Sequence, residues 1–172
     1  IIMIGVPDVG IKLPEISQIA LVVEDLASAM EHYRRILGIE PWEVYYVGPP
    51  EQEVAHYYGD PTDASFEIAY ADLDGLEIEI IMPIEGESIH KDFLKQHGEG
   101  LHHIACFDFD DALEVAEAFE NADIPIVQSG QWHDTHYLYF DTQEILNGVY
   151  FETIAGGEYD PDPDYVYPAE TS

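Results

Sequence analysis

The sequence is poor in basic residues, with 5 Lys and Arg against 36 Asp and Glu in 172 positions. The resulting formal net charge of −31 repels nucleic acid and anionic membranes, so neither is an expected partner. The acidic residues are spread along the whole chain and are not confined to a tail. We therefore favour a solvated, halophilic surface, screened by a salt-rich cytoplasm, over the alternative of a specific acidic binding face.

Cysteine and long apolar segments are also scarce. Cys106 is the only cysteine, which excludes a disulfide within the chain, and its apolar neighbours indicate a buried thiol. No apolar run approaches the roughly 18 residues that a membrane span requires, and no basic segment precedes an apolar one as in a secretory signal. These absences predict a cytoplasmic protein in a reducing compartment.

What the sequence does contain is an internal repeat. The segment ISQIA at Ile16–Ala20 recurs as LHHIA at Leu101–Ala105, which makes Gln18 equivalent to His103 at an offset of 85 residues. After each segment the chain passes through acidic residues into a helical pattern. Such self-similarity predicts two copies of one structural unit.

Hydrophobic periodicity predicts a strand, a helix and three further strands in each copy. In the first copy we expect a strand at 15–23, a helix at 26–37, a strand followed by an irregular aromatic loop between 41 and 61, and a hairpin of 65–71 with 76–81. In the second copy we expect a strand at 101–107, a helix at 111–121, and strands near 124–128, 135–141 and 148–154. A helix at 88–97 joins the copies.

These elements predict an α+β chain in which the order strand, helix and three strands occurs twice. Gly and Pro recur among residues 1–14, and residues 156–172 show no hydrophobic periodicity. Neither segment is therefore expected to form a helix. The predicted units are an N-terminal arm at 1–14, a first module at 15–85, a connecting helix at 86–98, a second module at 99–155 and an extended acidic tail at 156–172.

A glutamate interrupts the apolar last strand of each copy. Glu79 lies in IEII and Glu152 in FETI, where an unpaired charge is costly and a cation is an economical partner. With Gln18 and His103 they supply three oxygens and one imidazole nitrogen, a set that suits one divalent ion such as Zn, Ni, Co or Mn. Taken singly, each residue fits an ordinary strand position better, and only their equivalent places in the repeat favour a metal site.

Other histidines are assigned by their spacing. Strand alternation predicts that His102 faces away from His103. His133 and His136, three residues apart, are a weaker second set of candidate ligands, and we interpret them as lining of the substrate pocket. A hydrogen-bonded core residue is the alternative interpretation of His103 itself.

Four segments resemble the glyoxalase/bleomycin-resistance/dioxygenase group, also called vicinal oxygen chelate proteins. They are Ile16–Ala20 with the helix that follows, Leu76–Pro83, Gly98–Ala105 and Gly148–Glu152, and GLHHIA at 100–105 is the most specific string. The likeness extends over about 15–155 and is greatest to the methylmalonyl-CoA epimerases and their relatives. It implies an α+β fold of two paired βαβββ modules that curve into a cupped mixed sheet, with one metal held by Gln18, Glu79, His103 and Glu152.

The residues depart from the epimerase pattern at two places. Those enzymes usually carry His at the position of Gln18, and the present set is more similar to that of one form of glyoxalase I. The resemblance also implies a second glutamate as base, for which an ungapped alignment gives Asp63. Glu67 is the substitute if the loop is shifted, although alternation places it opposite Phe66 and Ile68.

The resemblance thus implies a metal-dependent isomerase or epimerase that removes a proton beside a metal-polarised carbonyl, with Glu152 and Asp63 as the proton-handling pair. The expected partner is a small-molecule carbonyl or thioester substrate, and a homodimer is implied by resemblance alone. Three alternatives stay open. They are a glyoxalase I-type lactoylglutathione lyase, an extradiol-type dioxygenase, which requires two His and one carboxylate, and a non-catalytic bleomycin-resistance-like binding protein.

Overall fold

The computed structural model describes residues 5–157 and 161–169, so the predictions for 1–4, 158–160 and 170–172 lie outside the described residues. Within these ranges the chain forms one eleven-stranded mixed sheet and three helices, in the predicted α+β class. The strands are β1 (Gln18–Val22), β2 (Trp42–Val47), β3 (Gln52–Tyr57), β4 (Asp60–Pro61), β5 (Ser65–Leu73), β6 (Leu76–Glu85), β7 (Gly100–Cys106), β8 (Ile126–Trp132), β9 (Thr135–Phe140), β10 (Tyr150–Ala155) and β11 (Tyr165–Tyr167). The helices are α1 (Leu26–Leu37), α2 (Ile89–His97) and α3 (Ala112–Asn121).

The sheet is built around two central strands, β1 and β7, which run antiparallel. Its strand order is β11-β2-β5-β6-β1-β7-β10-β9-β8-β3-β4, and it is open. β1 also pairs in parallel with β6, and β7 pairs in parallel with β10. The order β2-β5-β6-β1 on one side is therefore repeated as β8-β9-β10-β7 on the other, as expected for two equivalent units related by an approximate two-fold axis.

Helix α1 covers one face of the first half of the sheet. The side chain of Asp25 accepts a hydrogen bond from the backbone N–H of Ser28 at 2.9 Å, which begins the helix. Gly38 adopts a left-handed conformation (φ 70°) that ends it. The buried residues Leu26 and Met30 pack against the outward side chains of the strands, and we call this the outer face.

Helix α3 covers the outer face of the second half in the same way. Its buried residues Val115 and Phe119 pack against Phe140 and Phe151 of the strands, and the rings of Phe119 and Phe140 are stacked with their centroids 4.2 Å apart. Cys106 belongs to this core and is fully buried, as predicted. Because α1 and α3 share the outer face, the inner face of the sheet is available for a site.

Helix α2 packs on the inner face, where Ile89 joins Val127 and Tyr139, and Phe93 joins Ile81. The three helices of the described ranges are all too short or too polar to cross a membrane.

One prediction about the connecting segments is wrong. The stretch that we expected to be an irregular loop before 61 contains β3, which pairs antiparallel with β8 of the second half. In the described part of the tail, which we expected to be extended, β11 pairs antiparallel with β2. Both strands lie near the edges of the sheet, and each is made regular by a partner distant in sequence, so local patterns do not reveal them.

Candidate metal centre and cavity

The four predicted metal ligands lie on four neighbouring strands at the centre of the sheet, namely Glu79 on β6, Gln18 on β1, His103 on β7 and Glu152 on β10. Nε2 of His103 lies 3.0 Å from Oε1 of Gln18. It also lies 3.0 Å from Oε2 of Glu152 and 3.3 Å from Oε2 of Glu79. None of the four residues is more than 5% exposed. The structure thus brings them into one buried cluster, which we call the central quartet.

The pairing of β1 with β7 explains the symmetry of the quartet. Gln18 pairs with Ala105, and His103 pairs with Ala20, so the equivalent residues of the repeat occupy equivalent places. In the parallel ladders the two glutamates of the quartet pair with the same two alanines. Gln18 and Glu152 therefore share one row across the inner face of the sheet, and Glu79 and His103 share the adjacent row, two residues along the strands.

Each carboxylate of the quartet is held by a tyrosine on the next strand. Tyr70 of β5 is the cross-strand neighbour of Glu79, and Tyr139 of β9 is the neighbour of Glu152. Each tyrosine hydroxyl donates a hydrogen bond to its glutamate. Burial, together with the nearby carboxylates, raises the pKa of both tyrosines well above the ordinary value, so both remain neutral donors.

The charges of the quartet are strongly coupled. Burial by itself lowers the pKa of His103, but the carboxylates of Glu152 and Glu79 outweigh this effect and raise the pKa to about 9. Burial raises the pKa of Glu152, and the charge of His103 opposes that rise. Three oxygen atoms therefore face one ring nitrogen, whose single N–H can satisfy only one of them well.

The donor set of the quartet fits a divalent cation. Oε2 of Glu79 is buried and has no hydrogen-bond partner, which is a costly state for a carboxylate oxygen. A cation between the four donors would satisfy this oxygen and would leave Nε2 of His103 free of a proton. Three oxygens and one imidazole nitrogen are ligands that zinc, nickel, cobalt and manganese accept.

The prediction that His102 faces away from His103 is wrong. The ladder between β1 and β7 shifts register after Ala20, whose partner is His103, because the next residue, Leu21, is paired with Leu101. His102 is therefore the extra residue of a β-bulge, and a bulge breaks the alternation of a strand. As a result, the Nδ1 atoms of His102 and His103 lie 3.0 Å apart.

A second group of histidines adjoins the quartet. His90 on α2, His102 and His103 are buried, and their ring nitrogens lie within 4.8 Å of one another. The rings of His90 and His102 are stacked, with centroids 4.4 Å apart and 24° between planes. Because imidazole lone pairs lie in the ring plane, those of stacked rings run side by side and do not converge. The three residues are suitable metal ligands in kind, but the quartet has the better geometry.

Three members of the quartet, Gln18, Glu79 and Glu152, line a cavity of about 220 Å³. Glu77 also faces this cavity, two residues before Glu79 on β6, and accepts a hydrogen bond from Nε2 of Gln18. Burial, reinforced by the charges of Glu79 and Glu152, raises the pKa of Glu77 to about 7, although the Gln18 hydrogen bond opposes the rise. The remaining walls are mainly apolar and aromatic and include Phe66, Ile68, Ile81, Trp132, Tyr137 and Tyr139.

The structure does not bring Asp63 to the quartet. Asp63 is exposed and lines a separate, open depression together with Lys91. Strands β3 and β4 precede Asp63 in the chain, in the segment that we expected to be a loop. Glu67 is not at the cavity either: it alternates with Phe66 on β5, faces outward and contacts Tyr165 of β11.

His133 and His136 were predicted to line the pocket, and this prediction is wrong. Within the described part of the chain, the cavity is lined instead by Trp132 and Thr135 of the same hairpin. The ring of His133 packs on Trp132, with centroids 4.8 Å apart, and His136 is exposed.

Several cavity residues were missed from the sequence. Tyr70 and Glu77 had a usable signal, because each shares a period-two strand face with other inward residues. Gln128 and His90 had no local signal, since they reach the cavity only through the placement of β8 and α2.

Comparison with known proteins adds to this geometry. A model of the glyoxalase/bleomycin resistance protein/dioxygenase superfamily matches residues 17–140. An ethylmalonyl-CoA/methylmalonyl-CoA epimerase from Cereibacter sphaeroides is 28% identical over 117 residues, which cover 67% of this chain and 76% of that protein.

Solved structures resemble the fold. A methylmalonyl-CoA epimerase from Mycobacterium tuberculosis superposes with a TM-score of 0.61 at 17% identity, covering 84% of this chain and 89% of that one. A hypothetical protein from Bacillus halodurans gives a TM-score of 0.63 at 17% identity, covering 86% and 98% of the respective chains. These structures support the open mixed sheet of the present fold.

Proposed function

The chain belongs to the glyoxalase/bleomycin resistance protein/dioxygenase superfamily, and from this premise we propose that it is a metal-dependent isomerase or epimerase. The proposed reaction removes a proton from the carbon next to a carbonyl group and returns it, as in a methylmalonyl-CoA epimerase. The observation that carries the proposal is the convergence of three side-chain oxygens on Nε2 of His103 at the wall of a cavity.

Gln18, Glu79, His103 and Glu152 would hold the metal. A divalent cation bound there supplies Lewis acidity, which polarises a substrate carbonyl and stabilises the negative charge that develops when the neighbouring proton leaves. Tyr70 and Tyr139 fix the two carboxylates through their hydroxyl hydrogen bonds.

Two carboxylates are proposed to handle the proton. Glu152 stands at the edge of the quartet and lines the cavity, as the resemblance implied. Glu77 takes the place that we expected for Asp63, because it faces the same cavity and is oriented by the amide of Gln18. Two acceptors at different places in one cavity can reach opposite faces of a carbon atom, which inversion of a stereocentre requires.

The apolar walls favour this chemistry. Phe66, Ile68 and Ile81 exclude water from the inner side of the cavity, and a low dielectric strengthens the attraction between a cation and a developing negative charge. Burial also favours carboxyl groups that accept a proton readily, since it disfavours their charged form.

The Gln, Glu, His, Glu set also supports glyoxalase I-type chemistry, in which the proton is moved between adjacent carbons of a hemithioacetal. Both reactions use the same proton acceptors, so they differ only in where the proton returns. We keep this activity as the second candidate.

The test begins with purification in the absence of chelators and measurement of bound metal. We expect one divalent ion per chain and metal-dependent exchange of a substrate α-proton in deuterated water. Conversion of the methylglyoxal–glutathione hemithioacetal is assayed in parallel to separate the two candidates. Protein that lacks stoichiometric metal even after incubation with Zn, Ni, Co and Mn, and catalyses no exchange, would support the binding-protein alternative.

A further inference from the structure

Unpartnered polar atoms are concentrated in the cavity. In the described part of the chain, six residues carry buried side-chain nitrogen or oxygen atoms without a hydrogen-bond partner, and four of these residues line the cavity. They are Glu79, His90, Gln128 and Trp132. Because buried polar groups are nearly always paired, such a concentration indicates the place of a polar ligand.

The unpartnered group of Gln128 is a donor. Its Oε1 accepts a hydrogen bond from the backbone N–H of Ile89 at 2.8 Å, which only the oxygen of the amide can do. Nε2 is therefore the atom left without a partner, in a side chain that is 1% exposed. The start of α2 thus fixes the amide so that it offers its NH₂ group to the cavity.

Trp132 offers a second donor in the same cavity. Its Nε1 is buried and unpartnered, and its ring packs edge-on against Tyr45 of β2, with centroids 5.8 Å apart. This contact joins opposite halves of the sheet across the cavity and fixes the indole. An indole N–H can only donate, so at the cavity it is placed to bind an acceptor atom of a ligand.

The register of the strands relates these donors to the quartet. Gln128 pairs with Tyr139, which pairs with Glu152. Gln128 therefore lies in the same row as Glu152, two strands away from it. Strands are about 4.8 Å apart, so the two backbones are separated by roughly 10 Å. A molecule that reaches from the quartet to the donors is therefore short, in agreement with a cavity of about 220 Å³.

The charges of the cavity disfavour an anionic ligand near Gln128 and Trp132. Among the described residues that line it there is no Lys or Arg, whereas Glu77, Glu79 and Glu152 are present. The carboxylates of Glu79 and Glu152 would balance the two charges of a bound cation, leaving no excess positive charge to attract an anion.

We propose that the substrate is a compact, uncharged carbonyl compound with a second acceptor oxygen, which receives hydrogen bonds from Gln128 Nε2 and Trp132 Nε1. This inference rests on the proposed function for the position of the first carbonyl, and it sets this chain apart from relatives named for CoA thioesters. The cation held by the quartet would bind the reacting carbonyl. Gln128 and Trp132 would bind the second oxygen and so select substrates that carry it.

The test uses the indole N–H signals of Zn-loaded, ¹⁵N-labelled protein. The chain has two tryptophans, and Trp42 is a matched control because its Nε1 is also buried and unpartnered, but it lies in the outer core and not at the cavity. The probes are 2,5-hexanedione, 2-hexanone, which lacks the second oxygen, and propionyl-CoA. We expect the dione to shift the Trp132 signal downfield and to leave that of Trp42 unchanged.

Variants measure the contribution of each donor. Trp132→Phe should weaken binding of the dione roughly five- to tenfold, part of the way to the affinity of 2-hexanone, whereas Trp42→Phe should leave the affinity unchanged. Gln128→Glu keeps an acceptor for Ile89 and removes the NH₂ group, and should have a similar effect. If this variant does not fold, the Trp132→Phe result decides.

Three results would overturn the inference. They are equal affinity for the dione and 2-hexanone, a Trp132 signal that no neutral probe moves, and tighter binding of propionyl-CoA than of the dione. Proton exchange is recorded separately on the same samples. A Trp132 shift without any exchange contradicts the proposed function and leaves the recognition intact, whereas exchange of neutral carbonyls without a Trp132 shift contradicts only the recognition.

Discussion

Oε1 of Gln18 lies 3.0 Å from Nε2 of His103, although 85 residues separate the two in the chain. The contact exists because the two copies of the repeat meet along their first strands, so that equivalent residues approach each other at the approximate two-fold axis. One member of the pair is an amide and the other an imidazole, so a symmetric backbone carries an asymmetric set of donor atoms. Together with Glu79 and Glu152, this pair would hold a single metal beside the cavity.

The contribution of the imidazole is tested by His103→Ala. This change removes the only nitrogen donor of the quartet, so we expect metal affinity to fall by more than the roughly 10–100-fold that removal of an outer partner produces. Calorimetric titration with zinc and circular dichroism measure affinity and folding. His136→Ala, at an exposed position, is the control. Stoichiometric, tightly bound metal in His103→Ala would mean that the quartet is not the metal site.

Glu77 and Asp63 are competing candidates for the second proton acceptor. Glu77→Gln preserves shape and removes proton affinity, so it should slow α-proton exchange by about a hundredfold or more while metal content is unchanged. Asp63→Asn, at an exposed position outside the cavity, should exchange as the wild type does. The measurement is deuterium incorporation into each stereoisomer by mass spectrometry. The reverse pattern of the two variants would restore Asp63 to the role that the resemblance implied.

The acidic residue Glu31 links α1 to the tail. Hydrogen bonds from Arg34 and then Tyr167 hold its pKa at about 2, below the ordinary 4.5. A lowered pKa in the folded state stabilises the protein above about pH 4.5, and this contribution is lost as the pH falls toward 2. Glu31→Gln should therefore lower the Tm at pH 7, and the difference from the wild type should vanish near pH 2.

A matched control for Glu31 is Glu117→Gln, at an exposed position of α3. It should leave the Tm close to that of the wild type across the same range. Scanning calorimetry at pH 7, 4 and 2.5 provides the comparison. A difference between Glu31→Gln and the wild type that grows on acidification would contradict a lowered pKa of Glu31 in the folded state.

The net charge of −31 leads to a prediction about salt. Monovalent ions screen the repulsion between carboxylates, which is strongest in the compact state, so the Tm should rise steeply between low and molar KCl. Thermal melts followed by circular dichroism test this. A Tm that stays constant over the range would remove the basis for a halophilic surface.

The four residues of the quartet could be predicted from the sequence because the patterns that mark them are local and occur in both copies of the repeat. Gln18 and His103 were equated by the repeat, and Glu79 and Glu152 were marked by a charge within an apolar strand. Each signal depends on a few neighbouring residues. These four residues then converge because equivalent strands pair with each other, and this prediction does not depend on the conformation of any loop.

The periphery of the site could not be predicted because it depends on register and on distant pairing. The bulge that brings His102 to His103 is decided by the partner strand. Asp63 was assigned by resemblance alone, and its exposed position depends on the fold of β3 and β4 before it. Gln128 carries no pattern of its own, and becomes a cavity residue only because β8 and α2 meet.

Strand β3 comes from the first copy of the repeat but completes the sheet of the second, beyond β8. Within the first 99 residues, β3 has β4 as its single strand neighbour. During synthesis, β3 can pair with β8 only after residues more than 70 positions downstream have been added, such as Gly130, the partner of Ala55. Completion of the sheet therefore depends on pairing between distant segments, a topology that favours slower folding than local contacts do.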